Sequence, residues 1–262
     1  MQKYGQHFLV NQGIIDKITD TVIDNLTGSL IEIGPGKGAL TFNLLNKGVN
    51  DLTLVEIDPK MSEFLKQNLP NWANYKLIEK DFLTLIPEDL PKGQKTFISN
   101  LPYIDAAQIL LKVLDLEGFT CAVFMFQREQ ARKFFAQPET KLYGPLSIMV
   151  QARAQVQSVC RVSPGSFNPP PKVDSEVVLI RPKEKTFFVS AEHKKNFDEL
   201  VKCAFIYRRK TILNALCEAY KKNKDDLIKI LGKSGVKVSA RAEELDARHY
   251  ADLALNLKGF IF

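Results

Sequence analysis

The chain has 262 residues, of which 45% are hydrophobic and 25% are charged, and its formal net charge is +6. This composition is that of a folded globular protein, and it excludes disordered, collagen-like and mucin-like classes. The excess of lysine and arginine favours a polyanionic partner without identifying one. A chain of this length holds one large core or two unequal domains.

The first part of the sequence predicts strands and helices in alternation. Apolar residues recur at helical spacing over residues 12–26, which predicts a first helix, and the run at residues 29–33 predicts a strand. That strand enters a glycine-rich turn at residues 34–38, and a second helix is predicted over residues 39–46. Further strands are predicted at residues 52–55, 75–78 and 96–98.

The alternation continues through the middle of the chain. This pattern is typical of a doubly wound, mostly parallel α/β sheet, and its last two strands are close enough in sequence to form an antiparallel hairpin at the edge. The predicted elements are helix 106–114, strand 120–126, helix 128–135, loop 137–145, helix 146–154, strand 156–162, extended turn 167–173 and strand 176–181.

The character of the sequence changes after residues 181–185, which are rich in charge and contain a proline. From Ser190 onward the apolar residues recur at helical spacing only. We therefore predict an α/β domain over residues 1–184 and a small all-helical domain over residues 185–262.

Cysteine and histidine usage excludes several classes of site. The four cysteines form no Cys-x-x-Cys pair and the three histidines have no zinc-ligand spacing, so we predict no disulfide framework and no metal. The start of the chain lacks an apolar targeting segment, and no run is long enough to cross a membrane, so we predict a cytoplasmic protein. These residues are Cys121, Cys160, Cys203, Cys217, His7, His193 and His249.

Polar residues follow successive strands of the predicted sheet. Ligands of open α/β sheets bind outside the carboxyl ends of the strands. A glycine turn at residues 34–38, with Glu56 after the next strand to hold ribose hydroxyls, fits NAD as well as S-adenosylmethionine. Asp81 after the third strand can accept from an adenine amino group, and Asn100 after the fourth favours a methyl donor. Taken singly, these carboxylates are equally compatible with capping or solvated roles.

The segment Asn-Leu-Pro-Tyr at residues 100–103 suits a planar amine. Asn100 and the Leu101 carbonyl can accept the amine hydrogens, Pro102 stiffens the turn, and Tyr103 can stack on a base. Two acceptors that hold the amine hydrogens favour a tetrahedral, nucleophilic nitrogen. The residues near the fourth strand include no histidine and no Ser-Tyr-Lys arrangement, and this absence argues against hydride transfer from a nicotinamide. The pattern predicts methyl transfer to an aromatic amine, with an ordinary strand-ending turn as the alternative.

Seven ordered motifs resemble the ribosomal RNA adenine dimethyltransferases. The resemblance spans nearly the whole chain and is greatest to the branch that modifies two adjacent adenosines near the 3′ end of small-subunit RNA. The motifs are Tyr-Gly-Gln-His-Phe-Leu at 4–9, Ile-Glu-Ile-Gly-Pro-Gly-Lys-Gly-Ala-Leu-Thr at 31–41, Glu-Ile-Asp at 56–58, Lys-Asp at 80–81, Asn-Leu-Pro-Tyr at 100–103, Gln-Arg-Glu at 127–129 and Phe-Asn-Pro-Pro-Pro-Lys-Val-Asp-Ser at 167–175.

The resemblance implies a Rossmann-like class I methyltransferase fold that uses S-adenosylmethionine. It also implies a monomer that acts on small-subunit ribosomal RNA within a ribosomal particle and contributes to subunit maturation. The implied cofactor contacts are His7, Leu9, Gly34, Gly36, Glu56, Asp81, Phe82 and Asn100. The implied acceptor-site residues are Asn100, Leu101, Pro102, Tyr103 and Phe167, with Tyr103 and Phe167 on either side of a flipped adenine. The implied phosphate contacts are Arg208, Arg209 and Lys210.

The sequence departs from the family pattern at three places. Ile104, Asp105 and Ala106 stand where the family usually has Asn-Ile-Ser, and His7 stands where Asn is common. The short segment before the first motif predicts a smaller RNA footprint than that of relatives with a basic arm.

Three alternatives to this function stay open. A large-subunit RNA methyltransferase that confers macrolide resistance is disfavoured by the triple proline and the Lys-Val-Asp-Ser that follows it. A DNA amino-methyltransferase is disfavoured because no segment resembles a target-recognition domain. A non-catalytic assembly or transcription factor on the same fold is the third.

Overall fold

The computed structural model describes residues 7–260, and residues 4–6 of the first motif lie outside this range. Within the described range, seven strands form one sheet in the order β4-β3-β2-β5-β6-β9-β7, and two short strands pair separately. The strands are β1 (Phe8–Leu9), β2 (Ser29–Ile33), β3 (Asp51–Val55), β4 (Asn74–Ile78), β5 (Lys95–Asn100), β6 (Phe119–Gln127), β7 (Ala154–Val162), β8 (Phe167–Asn168) and β9 (Ser175–Pro182).

Helices alternate with the strands through residue 153, as the pattern predicted, and the remaining helices follow the last strand. The helices of the described residues are α1 (Gln12–Ile23), α2 (Ala39–Asn46), α3 (Pro59–Asn68), α4 (Ala106–Asp115), α5 (Arg128–Phe135), α6 (Pro145–Arg153), α7 (Ala191–Ile206), α8 (Ile212–Tyr220), α9 (Lys224–Lys233) and α10 (Ala247–Asn256).

The sheet confirms the predicted mixed architecture. Strands β2 to β6 run parallel, and β9 pairs antiparallel with β6, with Met125 opposite Val177. The central strands are buried on both faces, which explains why they read as continuous apolar runs and not as alternating ones. All residues of β5 are buried except Asn100, which is thus carried to the carboxyl edge by a rigid strand.

The strands β1 and β8 were not predicted as a pair. Phe8 lies opposite Asn168, and Leu9 lies opposite Phe167. An extended turn was predicted over residues 167–173, and only its first two residues form a strand. Two residues are too few to show a strand period, so only the structure reveals that the N-terminal segment is tied to residues 167 and 168.

The chain divides into two compact units. The first contains the residues up to 131 together with 155–182, and the second contains residues 132–154 together with those from 183 onward. The division near residue 183 lies close to the predicted one at 184, but residues 132–154 were assigned to the other domain. The reason is long-range: Arg153 bonds to Asp198 at 2.6 Å, and the Tyr143 hydroxyl donates to the Leu245 carbonyl at 2.9 Å.

Candidate active site

One cavity of about 350 Å³ lies in the first unit at the carboxyl ends of β2 to β5. It is bordered by every residue predicted to contact a cofactor and by four of the five residues predicted for the acceptor. These residues are His7, Leu9, Gly34, Gly36, Glu56, Asp81, Phe82, Asn100, Leu101, Pro102 and Tyr103.

The glycine turn after β2 forms one wall of the cavity. Gly34 and Gly36 have φ values of 65° and 55°, which are costly for residues with a Cβ. A Cβ on Gly36 would lie 3.2 Å from the ring of Phe8, whereas one on Gly34 would meet no atom within 4 Å. The turn is therefore packed by Phe8 on one side and open at Gly34, where a ligand can approach the backbone.

Glu56 lies at the end of β3 and is buried. Its Oε2 accepts from the Gly36 amide and its Oε1 accepts from the Asp58 amide, each at 2.9 Å. Burial raises the pKa of Glu56, and the two amide bonds oppose that rise. Each carboxylate oxygen has a second lone pair, so Glu56 can still accept from two hydroxyls of a ligand.

A second buried carboxyl, Glu32, also borders the cavity and was not predicted. Burial raises its pKa to about 8, the hydrogen bond from the Thr41 hydroxyl at 2.6 Å opposes that rise, and the charge of Glu56 adds to it. The signal in the sequence was an acidic residue inside the apolar strand at residues 29–33, where a buried carboxyl needs a functional or structural reason.

The raised pKa of Glu32 predicts a stability that falls with pH. The folded state retains a proton that the unfolded chain releases above about pH 4.5, so this contribution is complete below pH 4.5 and is lost as the pH rises to about 8. Denaturant unfolding between pH 5 and 8.5 measures the decline, which Glu32→Gln should flatten. A Glu32→Gln protein with the same decline as the wild type would contradict this assignment.

The residues after β4 form a tight turn that also borders the cavity. The Asp81 side chain caps this turn, because its Oδ1 accepts from the Leu83 amide at 2.8 Å. Phe82 is buried and packs edge-on against Phe97 of β5, with ring centroids 6.2 Å apart. The carboxylate of Asp81 and the backbone of Phe82 therefore share a fixed geometry at the cavity wall.

Asn100 is the last residue of β5, and its side-chain amide has a defined orientation. Its Nδ2 donates to the His7 carbonyl at 3.0 Å. A carbonyl can only accept, so the nitrogen of the amide must face it, and Oδ1 is left as the acceptor. This is the atom that an exocyclic amine requires.

Tyr103 is held from two directions. Its hydroxyl is hydrogen-bonded to the Ser175 hydroxyl at 2.7 Å, and its ring lies 5.9 Å from that of His7, tilted by 30°. Partial burial raises the pKa of Tyr103, so the hydroxyl is neutral at physiological pH. The His7 imidazole donates to the Pro169 carbonyl at 2.8 Å. His7 thus contacts both the Asn100–Tyr103 segment and the proline-rich turn.

The structure places Phe167 away from the cavity, and it brings Phe8 and Ile104, to which no role was assigned, to the border of the cavity. Phe167, predicted to stack on the target base, is only 4% exposed and packs in the hydrophobic core without bordering the cavity. Its place in β8 opposite Leu9 accounts for this burial. Ile104, by contrast, is 85% exposed at the cavity rim. Phe8, which the sequence interpretation omitted, also borders the cavity. The Lys37 ammonium lies over its ring, 4.8 Å from the centroid.

The predicted phosphate contacts lie in the second unit, after α7. Arg208, Arg209 and Lys210 are all exposed. Arg208 pairs with Glu243 at 2.6 Å, and Lys210 pairs with Glu218. Two of the three predicted phosphate contacts are therefore paired with carboxylates of the same unit.

Among residues 7–260, no group of three or more His, Cys, Asp or Glu side chains is placed to hold a metal ion. No helix in this part of the chain is long and apolar enough to cross a membrane.

The sheet order, the glycine turn after β2 and the cavity at the strand ends define a class of protein. They are the features of a Rossmann-like class I methyltransferase. The chain belongs to the ribosomal RNA adenine dimethylase family, whose sequence model matches residues 1–258. The fold class and the family resemblance predicted from the sequence are confirmed.

Individual relatives cover nearly the whole chain. Proteins named Ribosomal RNA small subunit methyltransferase A are 36% identical over 252 residues in Xanthomonas campestris pv. campestris (strain 8004), covering 95% of this chain and 93% of that protein. In Staphylococcus haemolyticus the identity is 36% over 273 residues, covering 98% of this chain and 89% of that protein.

Solved structures agree with these relatives. A dimethyladenosine transferase from Plasmodium falciparum has a TM-score of 0.79 and 29% identity, covering 97% of this chain and 98% of that one. The 23S rRNA methyltransferase ErmE has a TM-score of 0.68 and 25% identity, covering 96% and 99%.

Proposed function

We propose that the protein uses S-adenosylmethionine to dimethylate the N6 amines of two adjacent adenosines near the 3′ end of small-subunit ribosomal RNA. The observation that carries this proposal is the placement of Glu56, Asp81 and Asn100 at three strand ends around one cavity. The family membership and the relatives named for the small subunit support the same substrate. We further propose that the substrate is a maturing ribosomal particle and that the protein acts as a monomer.

The residues present fit the proposed cofactor. Glu56 offers acceptors for ribose hydroxyls, Asp81 offers one for an adenine amine, and the open face of Gly34 admits a ligand against the backbone. The carboxylates of Glu56 and Asp81 both border the cavity and suit a cationic ligand, whereas Glu32 is largely protonated below about pH 8. When bound, the cofactor supplies an electrophilic methyl group on its sulfonium.

The chain itself supplies alignment and hydrogen bonding at the acceptor. Oδ1 of Asn100 and the carbonyl of Leu101 accept from the target amine, which orients the nitrogen lone pair away from the ring and toward the methyl group. Tyr103, fixed by Ser175 and His7, provides a stacking surface for the extruded base. No basic side chain is required, because the amine proton can leave to water after transfer.

The distribution of charge supports RNA binding by the second unit. The second unit, residues 132–154 and 183–262, contains 21 lysines and arginines and 12 aspartates and glutamates, an excess of +9. The first unit, with 15 lysines and arginines and 18 aspartates and glutamates, has a net charge of −3. We propose that the cations after α7, Arg208, Arg209 and Lys210, contact phosphates.

Replacing Arg208, Arg209 and Lys210 together by Ala should weaken RNA binding by about tenfold or more at moderate salt, because phosphate contacts release counterions. The slope of log affinity against log salt should become shallower, and the rate at saturating RNA should be kept. Salt titrations of RNA binding measure both quantities.

A matched control removes the same charge from helix faces of the same unit. Lys195, Lys229 and Arg248 are exposed and pair with acidic residues on their own helices. Their combined replacement by Ala should change RNA affinity less. Equal losses in the two triple variants would show that net charge matters and the position after α7 does not.

The direct test of the proposed function supplies labelled S-adenosylmethionine with undermethylated small subunits and, separately, with protein-free large-subunit RNA. We expect two dimethyladenosines per small subunit. Label confined to large-subunit RNA would overturn the proposal in favour of the sister activity. Particle binding without label would overturn it in favour of a non-catalytic assembly factor.

A further inference from the structure

A lysine from another element anchors the turn that carries Asp81 and Phe82. Lys112 lies on α4, and its ammonium donates to the Leu83 carbonyl at 2.8 Å and to the Leu85 carbonyl at 2.6 Å. Both carbonyls belong to the tight turn after β4 or to its exit. The position of this turn therefore depends on a residue that lies about 30 positions later in the chain.

Two further kinds of group face this ammonium. The Phe82 ring centroid lies 5.5 Å from Nζ, and the carboxylates of Asp81 and Asp89 attract the charge. Desolvation lowers the pKa of Lys112, and the two carboxylates oppose that change. An ammonium has three N–H donors, so two carbonyls and an aromatic face match its capacity. The cation is thus hydrogen-bonded into the turn.

The anchored turn carries Asp81, which is proposed to accept from the adenine amine of the cofactor, and Phe82, which borders the same cavity. The Asp81 carboxylate is tied to the backbone because it accepts from the Leu83 amide, and the Leu83 carbonyl in turn accepts from Lys112. A shift of Leu83 would therefore move the carboxylate with it. Adenine presents an amino donor beside a ring-nitrogen acceptor, whereas hypoxanthine presents a carbonyl beside an N–H. A site that holds its own acceptor and donor at a fixed spacing can therefore distinguish the two bases.

We propose that Lys112 is a positioning residue that sets the preference of this site for adenine over hypoxanthine. It does not border the cavity itself, and it acts by holding Asp81 and the Phe82 backbone in register with the base edge. This inference rests on the proposed function, because the base concerned is that of S-adenosylmethionine.

The chain contains a matched control for this lysine. Lys95, at the start of β5, also donates to two backbone carbonyls, those of Gly93 at 2.8 Å and Glu117 at 2.9 Å. It is buried and does not border the cavity. Lys95→Met therefore removes a similar structural anchor at a place remote from the base.

The test measures binding of S-adenosylhomocysteine and S-inosylhomocysteine by calorimetry to the wild type, Lys112→Met, Lys112→Arg and Lys95→Met, with thermal unfolding of each protein. We expect Lys112→Met to lower the adenine-over-hypoxanthine affinity ratio by about tenfold or more, since a hydrogen-bonding site discriminates through precise donor and acceptor placement. Lys112→Arg, which keeps the donors, should restore part of the ratio. Lys95→Met should lower the unfolding temperature and keep the ratio.

In steady-state assays Lys112→Met should raise KM for S-adenosylmethionine and leave kcat within about twofold, because the acceptor side of the cavity is untouched. The inference would be overturned if the adenine-over-hypoxanthine affinity ratio were unchanged in Lys112→Met, or if it fell equally in Lys95→Met. In either case, binding of S-adenosylhomocysteine by the wild type would leave the proposed function intact. Wild-type protein that binds neither ligand would overturn the proposed function itself. If Lys112→Met does not fold, Lys112→Gln is measured against the same criteria.

Discussion

Replacing Asn100 by Ala should lower the rate of methyl transfer by about 100-fold or more, because it removes an aligned hydrogen-bond acceptor at the reacting nitrogen. RNA binding should be kept, since the cations after α7 are unchanged. Single-turnover transfer with saturating RNA and cofactor measures the first effect, and a direct RNA titration measures the second. Equal loss of transfer and binding would place Asn100 in a structural role.

Ser99→Ala provides the control for this variant. Ser99 precedes Asn100 on β5 and donates to the Ile33 carbonyl at 2.5 Å, but it does not border the cavity. Its replacement removes a buried hydrogen bond from the same strand end. We expect a loss of stability in Ser99→Ala with transfer within a few-fold of the wild type, which separates damage to the strand from loss of the acceptor.

Replacing Glu56 by Ala should reduce affinity for S-adenosylmethionine by about 100-fold or more, because a buried carboxylate that accepts several hydrogen bonds is lost. The Gly36 and Asp58 amides would also lose their acceptor, so the glycine turn would be less well fixed. Calorimetric titration with S-adenosylhomocysteine measures this loss without any need for turnover.

Asp58→Ala is the matched control for Glu56. Asp58 is a neighbouring carboxylate that caps α3 by accepting from the Lys60 amide at 3.0 Å, and it does not border the cavity. Loss of such a cap typically costs about 1 kcal/mol of stability. Cofactor affinity close to that of the wild type is expected in Asp58→Ala, and a loss as large as in Glu56→Ala would show that the effect is not specific to Glu56.

Most of the sheet, and the residues at the ends of its strands, can be predicted from the sequence. Apolar runs of four to six residues mark buried strands, and parallel strands bring the residues that follow them to one edge. Glu56, Asp81 and Asn100 could therefore be grouped from the order of the strands alone. The family motifs added Leu9 and Phe82, which border the same cavity but have no signal in local periodicity.

What the sequence missed depends on contacts between distant residues. The pairing of β1 with β8 involves two residues on each side, and the membership of residues 132–154 in the second unit rests on contacts such as that of Arg153 with Asp198. Phe167 was assigned to the base-binding site by its motif, whereas tertiary packing buries it. Lys112 had no local signal, because the carbonyls that it holds lie on a different element.

The bond between Asn100 and the His7 carbonyl has a consequence for proteolysis. The carbonyl belongs to a segment held on the unit by the short β1–β8 ladder and by the bond from His7 to Pro169. A cleavage just after Leu9 that let this segment dissociate would free the Asn100 amide to rotate. We expect such a nicked protein to lose methyl transfer, because the acceptor atom of Asn100 would no longer have a fixed position.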